Sequence, residues 1–193
     1  MRESSPRALV PIADGTEEIE AVCIIDVLRR AGVSVTVAVV GPGGTRAASR
    51  EVLASRGVRL VADVHLEEAA GEPYDAVLLP GGMPGAAHLR DCAPLAALLA
   101  AHDAAGRLVG AICAAPVVVL QENGLLRGRG ATCFPGLREQ LDPSCHRDGR
   151  VVQDGNLLTS QGPGTALEFA LAAVAHLCGH GRRGEIAAQL LLP

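Results

Sequence analysis

Arg107-Leu-Val-Gly-Ala-Ile-Cys113-Ala-Ala-Pro116 reads as a buried strand that runs into a tight turn and then a helix. Val109 to Ile112 are apolar and partly β-branched, as a strand covered on both faces should be. Ala114, Ala115 and Val117 to Leu120 continue as an apolar helix. Cys113 therefore stands at the carboxyl end of a strand, the edge of an open α/β sheet where ligands bind. A side chain at a sharp strand-to-helix turn is pushed out of the sheet, with its sulfur near free helix N–H groups. Such a thiol falls below the free value of about 8.5, so the expectation is a Cys113 largely ionised at neutral pH. Residues alone leave a second reading open, a small passive thiol in the core, because free cysteine is among the most buried residue types.

Outward from this stretch, strands alternate with helices. Ala8 to Ile12 is an apolar strand ending at Asp14-Gly15-Thr16, with Thr16 as N-cap of a helix from Glu17 to about Arg30. Glu17, Glu18 and Glu20 fill the first turn, where carboxylates complement the helix dipole. Val33 to Val40 is a β-branched strand, and Gly41-Pro-Gly-Gly44 is a turn. Arg46 to Asp63 alternates weakly and suits a short hairpin around Ser55-Arg56-Gly57.

Tyr74 to Leu79 is a further buried strand that enters Pro80-Gly81-Gly82-Met83-Pro84-Gly85. Adjacent glycines there let backbone N–H groups approach a ligand, so Gly81 and Gly82 are candidates for an oxyanion pocket. Leu89 to Ala105 predicts one helix and Ala131 to Phe134 a strand. Val151 to Gln153 and Leu157 to Ser160 flank Asp154-Gly-Asn156, a hairpin signal. A long helix from Ala166 to about Leu177 stops near Gly179, and a short one starts at Gly184. The expectation is one α/β domain over residues 1–193, a doubly wound, largely parallel sheet with helices on both faces.

Composition narrows the function. The net charge is -4 and aromatics make up 2% of the chain, so nothing favours nucleic acid or an anionic membrane. All seventeen cations are arginines. The absence of lysine excludes a lysine Schiff base and a Walker-type phosphate loop. Six cysteines without a C-x-x-C pair argue against a zinc site or a redox dithiol. His176 and His180, on either side of Cys178, have a metal-compatible spacing, but Gly179 points to an exposed helix end instead. Met1 to Arg7 has no apolar leader-like region and no uninterrupted run reaches transmembrane length, so a soluble, cytoplasmic protein is expected.

Ala-Ile-Cys113-Ala-Ala-Pro, the Pro80-Gly-Gly turn, Thr159-Ser-Gln-Gly-Pro163-Gly-Thr165 and Glu17-Glu-Ile-Glu20 occur in order along nearly the whole chain. In this combination the chain resembles the DJ-one/ThiJ/PfpI superfamily, and Thr132-Cys-Phe-Pro135 looks most like its bacterial YajL/ThiJ branch. The resemblance implies a flavodoxin-like sandwich, a homodimer, no cofactor and no metal. It implies a reactive nucleophile at Cys113 with Glu20 hydrogen-bonded to it. Gly81, Gly82, Ala114, Phe134 and Pro163 would line the substrate site, and Arg56, with Arg29 and Asp26, would lie near the dimer interface. Glu17 and Glu18 would be solvated.

Two departures matter. Phe134 stands where animal members carry a histidine, and Ala114 where protease-like members carry one, which argues against peptidase activity. A buried, protonated carboxylic acid beside a thiol can donate to the thiolate and then shuttle a proton. The activity implied is a glyoxalase or deglycase type of hydrolase or lyase: Cys113 forms a hemithioacetal with a small α-oxoaldehyde such as methylglyoxal, or with its early adducts, and water releases lactate. The alternative is a non-enzymatic oxidative-stress sensor or covalent chaperone, with Cys113 oxidised to a sulfinate that Glu20 stabilises.

Overall fold

A computed structural model describes residues 5–192. Met1 to Ser4, part of the stretch read as lacking a leader, lie outside the described residues. The chain forms β1 (Arg7–Ile12), α1 (Glu18–Arg30), β2 (Ser34–Val39), β3 (Glu51–Leu53), β4 (Arg59–Val61), β5 (Val64–His65) and α2 (Leu66–Ala69). It continues through β6 (Ala76–Leu79), α3 (Gly85–Arg90), α4 (Ala93–Ala104), β7 (Leu108–Ile112), β8 (Val151–Asp154), β9 (Leu157–Ser160) and α5 (Ala166–Gln189).

Seven strands make one sheet in the order β5-β2-β1-β6-β7-β9-β8, parallel throughout except for the β8–β9 hairpin. Alternate residues of each central strand face opposite cores. Leu9, Val77, Leu79 and Val109 pack under α2, α4 and the Pro116–Gln121 segment. Ala8, Val10, Leu78 and Ile112 pack under α1 and α5. This is the doubly wound, flavodoxin-like α/β arrangement expected. The sheet order reverses between β1 and β6, so the crevice beyond their carboxyl ends is the topological switch point.

Several local expectations are corrected. Thr16 does not cap α1: its Oγ1 accepts from the Ala13 N–H, and Glu17 caps instead by accepting from the Glu20 N–H at 2.8 Å. The helix expected over Leu89 to Ala105 starts earlier and divides into α3 and α4 around Asp91 and Cys92, with Pro94 in the first turn of α4. Ala131 to Phe134 forms no strand, only a bridge from Ala131 to His146. The Pro116–Gln121 segment is a widened, π-type helix. α5 breaks where expected, at Gly179 (φ 86°, ψ 162°), but helix resumes directly after it rather than at Gly184. His176 and His180 therefore do not share one helical face. β5 and α2, too short for a periodic signal, were not anticipated.

Candidate active site

Three strand ends build the site. Cys113 follows β7 directly and has φ 64°, left-handed backbone that a non-glycine residue seldom adopts. Two hydrogen bonds hold it there: its N–H donates to the Ser160 carbonyl at 3.0 Å, and its carbonyl accepts from the Phe134 N–H at 2.8 Å. The end of β9 and the segment after residue 131 thus fix the turn from two sides. At the end of β6, a Cβ on Gly81 would lie 2.7 Å from the Cys113 Cβ, so only glycine lets the two turns meet. Gly82 (φ 89°) is equally constrained, since a Cβ would fall 2.4 Å from both the Glu17 nitrogen and the Gly15 oxygen.

Glu20 comes from the first turn of α1, beyond β1, and is fully buried. Its Oε2 accepts from the Gly81 N–H at 2.7 Å. Its Oε1 is buried without a hydrogen-bond partner of ordinary geometry, and the carboxyl also interacts with the Cys113 thiol. Burial raises Glu20 to about 7, against the opposing effects of the Gly81 and Cys113 hydrogen bonds.

The ionised Cys113 expected from the helix terminus is corrected. Burial first, and then the Glu20 charge and hydrogen bond, push this thiol up to about 12, while backbone groups at Ala114 and Gly82 act in the lowering direction without prevailing. The contribution of Glu20 exists only while that carboxyl is ionised. Near neutrality the carboxyl is therefore the group that titrates, while the thiol keeps its proton.

The other anticipated residues separate by position. Gly81 does not offer its amide to an oxyanion, because that N–H is already committed to Glu20. Gly82 and Ala114 keep backbone groups directed at the sulfur. Phe134 is 44% exposed, with its ring near Gly162 and Gly136. Pro163 belongs to a neighbouring hollow with Leu167, Glu168, Leu171, Arg183 and Leu192. Cys133 is buried, its thiol raised by burial and donating to the Phe134 carbonyl at 3.4 Å.

Asp26 pairs with Arg30 rather than Arg29, which reaches Asp63 and the Val35 carbonyl. Arg56 is exposed. The solvated role expected of Glu18 is overturned: it is buried and accepts from Ser55 Oγ at 2.7 Å and the Arg56 N–H at 2.8 Å, tying the β3–β4 turn to α1. Burial works to raise its carboxyl, and these hydrogen bonds outweigh it and hold the group below the usual range. Sequence reasoning missed this clamp because its partners lie 37 and 38 residues away.

A strained cysteine at the carboxyl end of a parallel strand, beside a buried carboxyl at the switch point, defines the class of site. The chain belongs to the DJ-1/PfpI family, whose model matches residues 6–176. It is 46% identical over 190 residues to Protein DJ-1 homolog B of Arabidopsis thaliana, covering 98% of this chain and 42% of that protein. It is 34% identical over 192 residues to glutathione-independent glyoxalase DJR-1.2 of Caenorhabditis elegans, covering 98% of this chain and 97% of that one. Among solved structures, oxidized Toxoplasma gondii DJ-1 superposes with a TM-score of 0.93 at 45% identity, covering 97% of this chain and 99% of the other. The chain spans less than half the length of the two Arabidopsis relatives it matches, 42% and 47%. Among the described residues, no helix is long and apolar enough to cross a membrane.

Proposed function

We propose that the protein is a glyoxalase of the cofactor-independent kind, converting small α-oxoaldehydes such as methylglyoxal, free or as early adducts, to 2-hydroxy acids. The observation that carries this reading is the buried Glu20 carboxyl, raised to about 7 with one oxygen unpartnered, beside a cysteine in left-handed backbone. A relative covered along nearly its whole length bears the name of a glyoxalase, which supports the same reaction class.

The Cys113 sulfur adds to the aldehyde carbon as its proton passes through the Glu20 carboxylate to the new alkoxide oxygen, giving a neutral hemithioacetal and restoring the carboxylate. Backbone N–H groups at Gly82 and Ala114 hold the developing oxyanion. Glu20 then moves a proton from the former aldehyde carbon to the neighbouring ketone carbon, while the hydroxyl proton passes from the first oxygen to the second. One carbon is oxidised as the other is reduced, leaving a 2-hydroxyacyl thioester on Cys113. Water cleaves it, and the sum is methylglyoxal plus water to lactate.

The test is lactate formation from methylglyoxal with a thiol reductant present. Cys113→Ser and Glu20→Gln should each lower kcat/KM at least about 100-fold, the lower range for losing a positioned proton-transfer group. Wild-type rates in either variant would refute the scheme.

A second reading, an oxidative-stress sensor or covalent chaperone, draws on the oxidised state named for the Toxoplasma relative. Peroxide would carry Cys113 to the sulfinate, with protonated Glu20 donating to the new oxygen. Mass spectrometry after mild peroxide treatment decides it, since oxidation spread over all six cysteines would count against it. Six unbridged cysteines suit a reducing compartment such as the cytoplasm. Exposed Ile19 and Val22 on α1, with Leu53, Val58 and Val61 on the β3–β4 hairpin, suit a homodimer.

A further inference from the structure

Phe134 is one of three aromatic residues in the chain, and it is 44% exposed although its neighbours Ala131, Thr132 and Cys133 are all buried. Its backbone is tied to the nucleophile by the hydrogen bond to the Cys113 carbonyl. Its ring lies where a methyl group on Gly162 would sit 3.5 Å from the Phe134 Cδ2 and 4.0 Å from the unpartnered Glu20 Oε1. The absence of side chains at Gly162 and Gly136, where a Cβ would come within 2.9 Å of the ring, makes room for it. An apolar ring with a solvent-facing surface thus stands close to the Glu20 carboxyl, on a backbone bonded to that of Cys113.

An exposed aromatic face lowers its free energy by covering apolar surface, and it offers a stacking geometry that an alkyl or aryl substituent satisfies and a hydroxylated one does not. We infer that Phe134 determines substrate choice: it forms the wall against which the substituent of the oxoaldehyde packs, and it selects 2-oxoaldehydes with a bulky apolar or aromatic substituent over methylglyoxal. This inference rests on the glyoxalase reading above. The reaction is unchanged in its balance, an aryl oxoaldehyde and water giving an aryl 2-hydroxy acid. Phe134 takes no part in proton transfer and acts on the substituent alone.

The experiment compares kcat/KM for phenylglyoxal and methylglyoxal in wild type, Phe134→Leu and Phe134→Ala. One apolar group in a fitted pocket discriminates about tenfold or more, so wild type should favour phenylglyoxal by at least about tenfold. Phe134→Ala should bring that ratio near one, and Phe134→Leu should keep part of it. Any change in water access or in the surroundings of Glu20 would move both substrates together and cancel in the ratio. A ratio unchanged in Phe134→Ala, with methylglyoxal still turned over, overturns the inference and leaves the glyoxalase reading standing. If wild type turns over neither aldehyde, that reading falls. Relative rates of Cys113 alkylation by phenacyl bromide and bromoacetone then decide the role of Phe134 independently, the same loss of aryl preference in Phe134→Ala being expected and its absence refuting it.

Discussion

Replacing Glu20 with glutamine removes one titration while leaving an acceptor for the Gly81 N–H, and the consequence for stability follows from the burial of this carboxyl. In the folded chain Glu20 keeps its proton up to about 7, whereas an ordinary glutamate gives it up at 4.5. Between those values the folded state binds more protons than the unfolded state, so stability is fully present below about 4.5 and is lost as pH rises through about 7. At about 1.4 kcal/mol per pH unit the gap amounts to about 3 kcal/mol, of which roughly 2.5 kcal/mol is lost between pH 5 and pH 8. Cys113, pushed up to about 12, stays protonated across this window and does not mask the effect. Denaturant unfolding at the two pH values should therefore show wild type losing about 2.5 kcal/mol more than Glu20→Gln, or about 5 to 10 °C in thermal midpoint for a chain of this size. Equal losses in both proteins would refute the raised carboxyl, and with it the near-neutral titration that lets Glu20 both accept and return a proton.

Gly82→Ala should cost at least about 2 kcal/mol in denaturant unfolding, because the new Cβ meets two backbone atoms at 2.4 Å in a left-handed conformation. Glu18→Ala should cost about 1 to 3 kcal/mol by orphaning the Ser55 and Arg56 donors, and hydrogen exchange should show faster opening of the β3–β4 turn than of β7.

The parallel sheet was legible because its central strands, such as Val109 to Ile112, are uninterrupted apolar runs, and burial on both faces requires that pattern. Cys113 at the turn and Gly81 opposite it were legible for the same reason, as strand ends can be placed from their neighbours. The two-residue β5 and four-residue α2 are shorter than any period that could reveal them. The protonation of the site was not legible. Helix-terminal N–H groups argued for an ionised sulfur, and local sequence carries no measure of how completely α1 and the Gly81 turn exclude water from it. The role of Glu18 was not legible either, since two adjacent glutamates look alike until the hairpin, far along the chain, covers one of them.

Gly81 shows how these elements constrain one another. Its lack of a side chain lets the β6 turn approach Cys113, and its amide then has two possible uses, an oxyanion or the Glu20 carboxylate. The amide is given to Glu20, which fixes one oxygen and leaves the other buried and unpartnered. Had both oxygens been satisfied by backbone donors, the carboxyl would have been held low and permanently ionised, a repulsive neighbour for a thiolate. With a single donor, burial prevails and the group titrates near 7, so it can accept a proton from the sulfur and return it. In the proposed scheme oxyanion stabilisation then falls to Gly82 and Ala114, whose backbone groups hydrogen-bond the same sulfur. The proposed division of labour, proton transfer at the Glu20 carboxyl and charge stabilisation at the backbone of Gly82 and Ala114, draws on groups that follow β1, β6 and β7, an arrangement that three strand ends can supply and that a single loop cannot.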